Sequence, residues 1–116
     1  MSSPLDSLDV LAQDFLQAWQ DAHGVKSGRV YTLKGVDHLA IIIEDSFSKA
    51  ERKLAEAQLG ENLLREYATQ LLNTICSEMK IRIERTMKRE VISSEVSVSL
   101  DTDRLIFLFR TNAADE

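Results

Sequence analysis

The sequence predicts an α+β domain made of two helix–β-hairpin units in the order α-β-β-α-α-β-β, with a four-stranded antiparallel sheet packed against a long helix. Three observations carry that reading. Apolar residues recur every three or four positions from Leu5 to His23 and again from Glu61 to Met87, which is the period of an amphipathic helix. Two pairs of short runs rich in β-branched and aromatic residues are each joined by turn chemistry, as in β-hairpins. The order also repeats: Val36-Asp37-His38-Leu39-Ala40-Ile41-Ile42-Ile43-Glu44 lies 66 positions before Thr102-Asp103-Arg104-Leu105-Ile106-Phe107-Leu108-Phe109-Arg110, and Val30 lies the same distance before Val96, each copy following a helix.

The first helix is expected to start at Ser3-Pro4-Leu5-Asp6, where a hydroxyl caps free amides and proline sits at the first helical position. Leu8, Leu11, Phe15, Leu16, Trp19 and Ala22 form its apolar stripe, and Gly24 supplies a left-handed stop after His23. Arg29 to Lys34 and His38 to Glu44, linked by Lys34-Gly35-Val36-Asp37, read as the first hairpin. Ser48-Lys49-Ala50-Glu51 fits a reciprocal capping box, predicting a short helix that runs to about Leu59 and is interrupted by Gly60. The long helix follows from Glu61, with Leu64, Tyr67, Leu71, Ile75, Met79, Ile83 and Met87 as its stripe. Val91 to Leu100 and Arg104 to Arg110 make the second hairpin, with Thr102 and Asp103 as its loop, so that Leu100 pairs with Leu105, Val98 with Phe107 and Val96 with Phe109. Residues 1–116 are expected to form a single domain with a core over about 5–110, and Thr111 to Glu116 a polar tail.

Composition narrows the function classes. With 14 basic and 19 acidic side chains the formal charge is -5, so the surface lacks the positive field of a nucleic-acid binder. Cys76 is the only cysteine, which rules out an intrachain disulfide and a thiolate metal cluster and suits a reducing compartment. The longest aliphatic run, Leu39 to Ile43, is far below the roughly 20 residues that span a bilayer.

Strand parity sorts the side chains onto two faces. One face collects Val30, Thr32, Leu39, Ile41, Ile43, Val96, Val98, Leu100, Leu105, Phe107 and Phe109 and is the expected core side. The other collects Tyr31, Leu33, Ala40, Ile42, Ile106 and Leu108, diluted by Ser97 and Ser99, and is too apolar for a solvated antiparallel face. Tyr31, Leu33, Ile42, Ile106 and Leu108 are therefore the candidate interface. Three covers compete for it: the first helix, a second copy of the chain, or another protein.

No catalytic, metal or cofactor constellation emerges. His23 sits where a cation complements the negative end of a helix, and His38 reads as a solvated turn residue; neither has a ligand partner at a characteristic spacing. Glu44-Asp45 and Asp101 with Asp103 lie at turns and strand ends, where solvated carboxylates gather. Cys76 falls near an apolar helical stripe and reads as a small buried hydrophobe. The basic run Lys80 to Arg89 lies in the last turns of a helix, where cations complement the dipole without a ligand. The four glycines form no phosphate-cradling loop.

A first helix ending at His23-Gly24, a hairpin carrying Leu39 to Glu44, the helix start Phe47-Ser48-Lys49-Ala50-Glu51-Arg52-Lys53-Leu54, a long helix with Ile83-Glu84 and a closing strand from Asp103 to Phe109 together resemble the MpsC-like family. That family is a small bacterial domain labelled as part of a Na-translocating, membrane-potential-generating system, and the resemblance runs from about Leu8 to Phe109. The most specific piece is the aromatic-Ser-x-x-Glu-x-x-Leu element. Two loops depart from the family pattern: Gly24-Val25-Lys26-Ser27-Gly28 has no proline, and Met87-Lys88-Arg89 stands where the family often has Thr-Gly-Arg. The resemblance carries over no catalytic residues. Together with the apolar second face, the resemblance points to a non-enzymatic accessory or adaptor domain, homodimeric or bound to a protein partner, cytoplasmic or peripheral to the inner face of the plasma membrane, and linked to an ion or inorganic-carbon transport system. The alternative is a small-molecule or anion sensor with its ligand between sheet and helix.

Overall fold

A computed structural model describes residues 4–112. Its elements are α1 (Pro4–His23), β1 (Arg29–Lys34), β2 (His38–Glu44), α2 (Lys49–Leu54), α3 (Gln58–Met87), β3 (Val91–Ser99) and β4 (Arg104–Thr111). The cap expected of Ser3 lies outside the described residues. The four strands form one antiparallel sheet in the order β1-β2-β4-β3.

That order is what two similar hairpins produce when they meet along their second strands. Ile41 on β2 lies opposite Phe107 on β4, its counterpart 66 positions on, so the pseudo-two-fold of the repeat passes through the middle of the sheet. The helices follow the same relation at an offset of 64. Leu8, Leu11, Ala12, Phe15 and Trp19 on α1 match Leu72, Ile75, Cys76, Met79 and Ile83 on α3, and all ten are buried.

Both helices lie on one side of the sheet. α1 packs against β1, β2 and α3, while α3 packs against β3, α1 and α2. The Phe15 ring meets Phe107 edge-on at 4.9 Å and Phe109 at 6.0 Å, within the range aromatic pairs favour. Leu39, Ile41, Ile43, Leu105, Phe107 and Phe109 are almost completely buried beneath these helices.

Gly24 closes α1 with φ +83 and donates its N–H to the Gln20 carbonyl at 2.8 Å, the left-handed stop the sequence predicted. Ser48 and Glu51 form the expected reciprocal box at the start of α2. The boundary that follows differs from expectation. α2 ends at Leu54, and Gly60 lies inside α3, buried in its first turn. A Cβ at position 60 would collide with the Leu54 carbonyl. The glycine is therefore there for a close approach between two helices, not for a break in one.

Three further expectations are corrected. In the second hairpin Val98 pairs with Leu105, Val96 with Phe107 and Ser94 with Phe109, a slip of two residues. The loop holds four residues instead of two, with Asp103 left-handed at φ 53; an even slip leaves every side chain on its expected face. On α3 the buried stripe runs through Leu64, Ala68, Leu72, Ile75, Cys76, Met79 and Ile83, and Tyr67 is outside it. Thr111, expected at the head of a polar tail, is the buried last residue of β4, its N–H bonded to the Asp37 carbonyl at 2.8 Å.

Candidate functional site

With α1 and α3 on the same side, none of the described elements crosses the other face of the sheet, so the first helix is not its cover. The register lays that face out in rows. Arg29, Glu44, Arg104 and Ser99 run across one end. The next row is Tyr31, Ile42, Ile106 and Ser97, followed by Leu33, Ala40, Leu108 and Glu95, and then His38, Arg110 and Ser93. The five candidate interface residues thus come together as one apolar block on β1, β2 and β4, with Ala40 as a hollow at its centre. Charged groups close both ends, including Arg104 Nε, which donates to Glu44 Oε2 at 2.8 Å. The β3 edge is polar.

Exposure is graded across the block. Ile42 is only 8% exposed because β1 and β4 neighbours crowd it, Ile106 and Leu108 are half-buried, and Tyr31 and Leu33 on the outer strand are exposed, Leu33 at 59%. Fully burying a large aliphatic side chain contributes about 1.5–3 kcal/mol.

The titratable candidates have structural partners. His23 is the last residue of α1, as expected, and its side chain also has partners beyond that helix end. Its side chain is fully buried, stacked on Trp19 at 4.3 Å, and its Nε2 donates to Glu51 Oε1 at 2.8 Å. The same carboxylate oxygen accepts the Ser48 N–H at 2.8 Å. Burial works to raise the Glu51 pKa, but the hydrogen bonds from Ser48 and the charge and hydrogen bond of His23 outweigh it, and the pKa is held below its ordinary value. His38 is a half-exposed residue at the head of β2, 2.7 Å from the Asp37 carboxylate. Burial pushes the Cys76 thiol up to about 11, which suits a packing role and not a nucleophile.

Asp103 is more than a solvated turn acid. Its Oδ1 accepts the N–H groups of Ser46 and Phe47, each at 3.0 Å, and its Oδ2 lies 3.2 Å from Arg52 Nη1. Trp19 Nε1 donates to the Ser46 carbonyl at 3.1 Å. The β3–β4 turn, the β2–α2 loop and the end of α1 are therefore tied into one junction, which the sequence signalled only through the capping box.

The layer between sheet and helices is filled by Phe15, Trp19, Phe47, Phe107 and Phe109. A cavity of about 190 Å³ between α3 and β3, beside Cys76 and Lys80, is smaller than the roughly 300–1,000 Å³ of ordinary small-molecule sites. Among the described residues no group of three or more His, Cys, Asp or Glu side chains is placed to hold a metal ion, and no helix is long and apolar enough to cross a membrane.

The family model described as Na+-translocating membrane potential-generating system (MpsC) matches residues 9–113, nearly the whole chain. The chain belongs to the MpsC family. No curated protein and no solved structure matches it. Within this MpsC domain, the Phe47-Ser48-x-x-Glu51 element is the junction just described. At the second departing loop, Lys88 adopts the left-handed conformation at the end of α3, with φ 56, a position glycine ordinarily favours. Arg89 Nη1 then donates to the Val36 carbonyl at 2.9 Å, fastening that loop to the β1–β2 turn.

Sequence patterning missed a second apolar surface. Leu59, Leu63 and Tyr67 on α3 are 70%, 54% and 44% exposed. α3 has 30 residues and α1 has 20. Asp14 pairs with Arg82, and Ala18 and Ala22 share a trough with Ile75 and Leu71, so the helices run antiparallel and α1 ends before the first turns of α3. Those turns have no α1 beside them.

Proposed function

We propose that this MpsC domain is a non-enzymatic accessory or adaptor component of the membrane-potential-generating system, acting by protein–protein contact from the cytoplasmic side and self-associating through its open sheet face. One observation carries the reading: α1 and α3 share one side of the sheet, leaving Tyr31, Leu33, Ala40, Ile42, Ile106 and Leu108 without cover from the described elements. A homodimer supplies that cover as an aligned sheet-on-sheet pair, in which side chains of two inner faces interdigitate. The Ala40 hollow beside Ile42 and Leu108 gives large side chains of a second copy somewhere to seat. Membership in the family supports the link to an ion-translocating membrane system, and contact with that system is peripheral in this proposal.

The test is the mass of the native chain and of a Leu33→Glu, Leu108→Glu variant by light scattering, with circular dichroism in parallel. The proposal expects a dimer that becomes a monomer with unchanged helix content, because carboxylates on β1 and β4 place unpaired charge in the contact. A native chain that is monomeric at high concentration, or a variant that keeps the dimer mass, would refute self-association through this face.

A further inference from the structure

The helical side of the molecule, opposite the sheet face, carries its own groove. α1 and α3 leave a trough of about 390 Å³ between them, with Ala18, Ala22, Leu71 and Ile75 in its lining and Asp21 and Glu78 at its rims. Towards the start of α3 the apolar surface continues along one i, i+4 ridge. Ile75 is buried, Leu71 is half-buried, and Tyr67 and Leu63 emerge into solvent where α1 has ended. From Leu63 to Ile75 this ridge extends about 18 Å, or roughly three helical turns. Two antiparallel helices with an apolar trough present the surface on which a third helix seats, ridge into groove, at about 8–10 Å between axes. Ala18 and Ala22, one turn apart, let its backbone come close.

Charge decides which helix fits. Asp21 and Glu78 are both exposed, and neither has a cationic partner within ion-pair distance among the described residues. Exposed Glu66 extends the acidic character beside Tyr67. The nearby cation Arg82 is already engaged by Asp14. An anionic lipid surface would be repelled by these rims, whereas a basic helix would find a counter-charge on each side of its apolar stripe.

We infer that the α1–α3 trough, continued by Tyr67 and Leu63, is a docking groove for an amphipathic helix of a partner protein, with lysine or arginine flanking its apolar stripe on both sides. Recognition is of the helix-in-groove kind, with apolar anchors at i, i+3, i+4 and i+7. The groove faces away from the open side of the sheet, so an adaptor can use one surface for a second copy and the other for a partner. This inference does not rest on self-association.

The experiment uses the full chain and a fluorescent peptide of about 18 residues, with leucine at helical anchor positions and lysine elsewhere, followed by anisotropy near physiological salt; a twin peptide carries glutamate in place of lysine. The lysine peptide is expected to bind and the glutamate peptide not to bind. An Asp21→Lys, Glu78→Lys variant should weaken the lysine peptide about tenfold or more and begin to accept the glutamate peptide. Leu63→Ser with Tyr67→Ser, both at exposed positions that leave the fold intact, should weaken the lysine peptide several-fold, and Leu33→Glu with Leu108→Glu on the sheet face should not affect it. The inference is overturned if the native chain does not bind the lysine peptide, or if binding is indifferent to the charge reversal. It is overturned equally if the groove substitutions abolish self-association while the sheet-face substitutions do not, because a second copy would then occupy the trough.

Discussion

The two faces of the sheet are built from nearly the same side chains and have opposite fates. On β4, Leu105, Phe107 and Phe109 alternate with Ile106 and Leu108 along five consecutive residues; the first three are almost fully buried and the other two are half-buried on an uncovered face. Hydrophobicity alone does not separate them. The separation comes from where the two helices land, and the repeat sends both to the same side, because a pseudo-two-fold normal to the sheet relates one helix to the other without exchanging the faces. A face left apolar after both helices are placed is thus a property of the symmetry as well as of composition.

Substitution at neighbouring β4 positions is the most direct way to break that comparison. Phe107→Ala should cost about 3–5 kcal/mol in urea denaturation, since a fully buried ring is lost beneath Phe15. Leu108→Ala, at protein concentrations low enough to hold the chain monomeric, should cost about 1–2 kcal/mol, because only part of its side chain is buried. Equal losses at the two positions would show that the open face is covered within the chain.

A smaller effect tests whether the junction holds the helices to their side. Asp103→Ala leaves the Ser46 and Phe47 N–H groups without their acceptor and should lower stability by roughly 1–3 kcal/mol. Asp101→Ala, in the exposed part of the same loop, should stay within about 0.5 kcal/mol. The pair of urea midpoints separates a structural carboxylate from a solvated one two residues away.

The smallest effect is a pH dependence at the same end of the molecule. The Glu51 pKa is lowered in the folded chain from its ordinary 4.5, so its contribution is fully present above about pH 4.5 and is lost as pH falls through the folded value. Glu51→Gln should flatten that acid-side part of the stability curve, followed as urea midpoints below about pH 4.5. An unchanged acid limb would mean that the contacts with Ser48 and His23 do not favour the charged carboxylate.

Much of the fold was legible in the residues because strands and helices advertise their buried faces by period. The ends of β1 and β2, the Ser48–Glu51 box and the Gly24 stop were readable from local chemistry. The errors have local causes too. Gly60 looks like a breaker unless the Leu54 carbonyl beside it is known, and Tyr67 looks like core because it is large, whereas Ala68, one position on, is the residue with no exposed surface. The slip in the second hairpin escaped because moving a strand by two residues changes no face. The five candidate interface residues follow from parity and do gather into one block. The α1–α3 trough follows from no local pattern, since it forms between two helices remote in sequence, and its continuation over Tyr67 and Leu63 opens only past the end of α1.

The sequence by itself determined the order of the elements, their periodic faces and the family, because each is written in spacings of two to four residues or in short motifs. Only the tertiary structure decided that α1 joins α3 on one side of the sheet, that His23 reaches Glu51, and that Asp103 binds a loop more than fifty residues away. Those outcomes depend on distances between segments remote in sequence, where burying Phe15 against Phe107 and satisfying the Ser46 and Phe47 amides decide the arrangement, and no local periodicity encodes which distant partner is met.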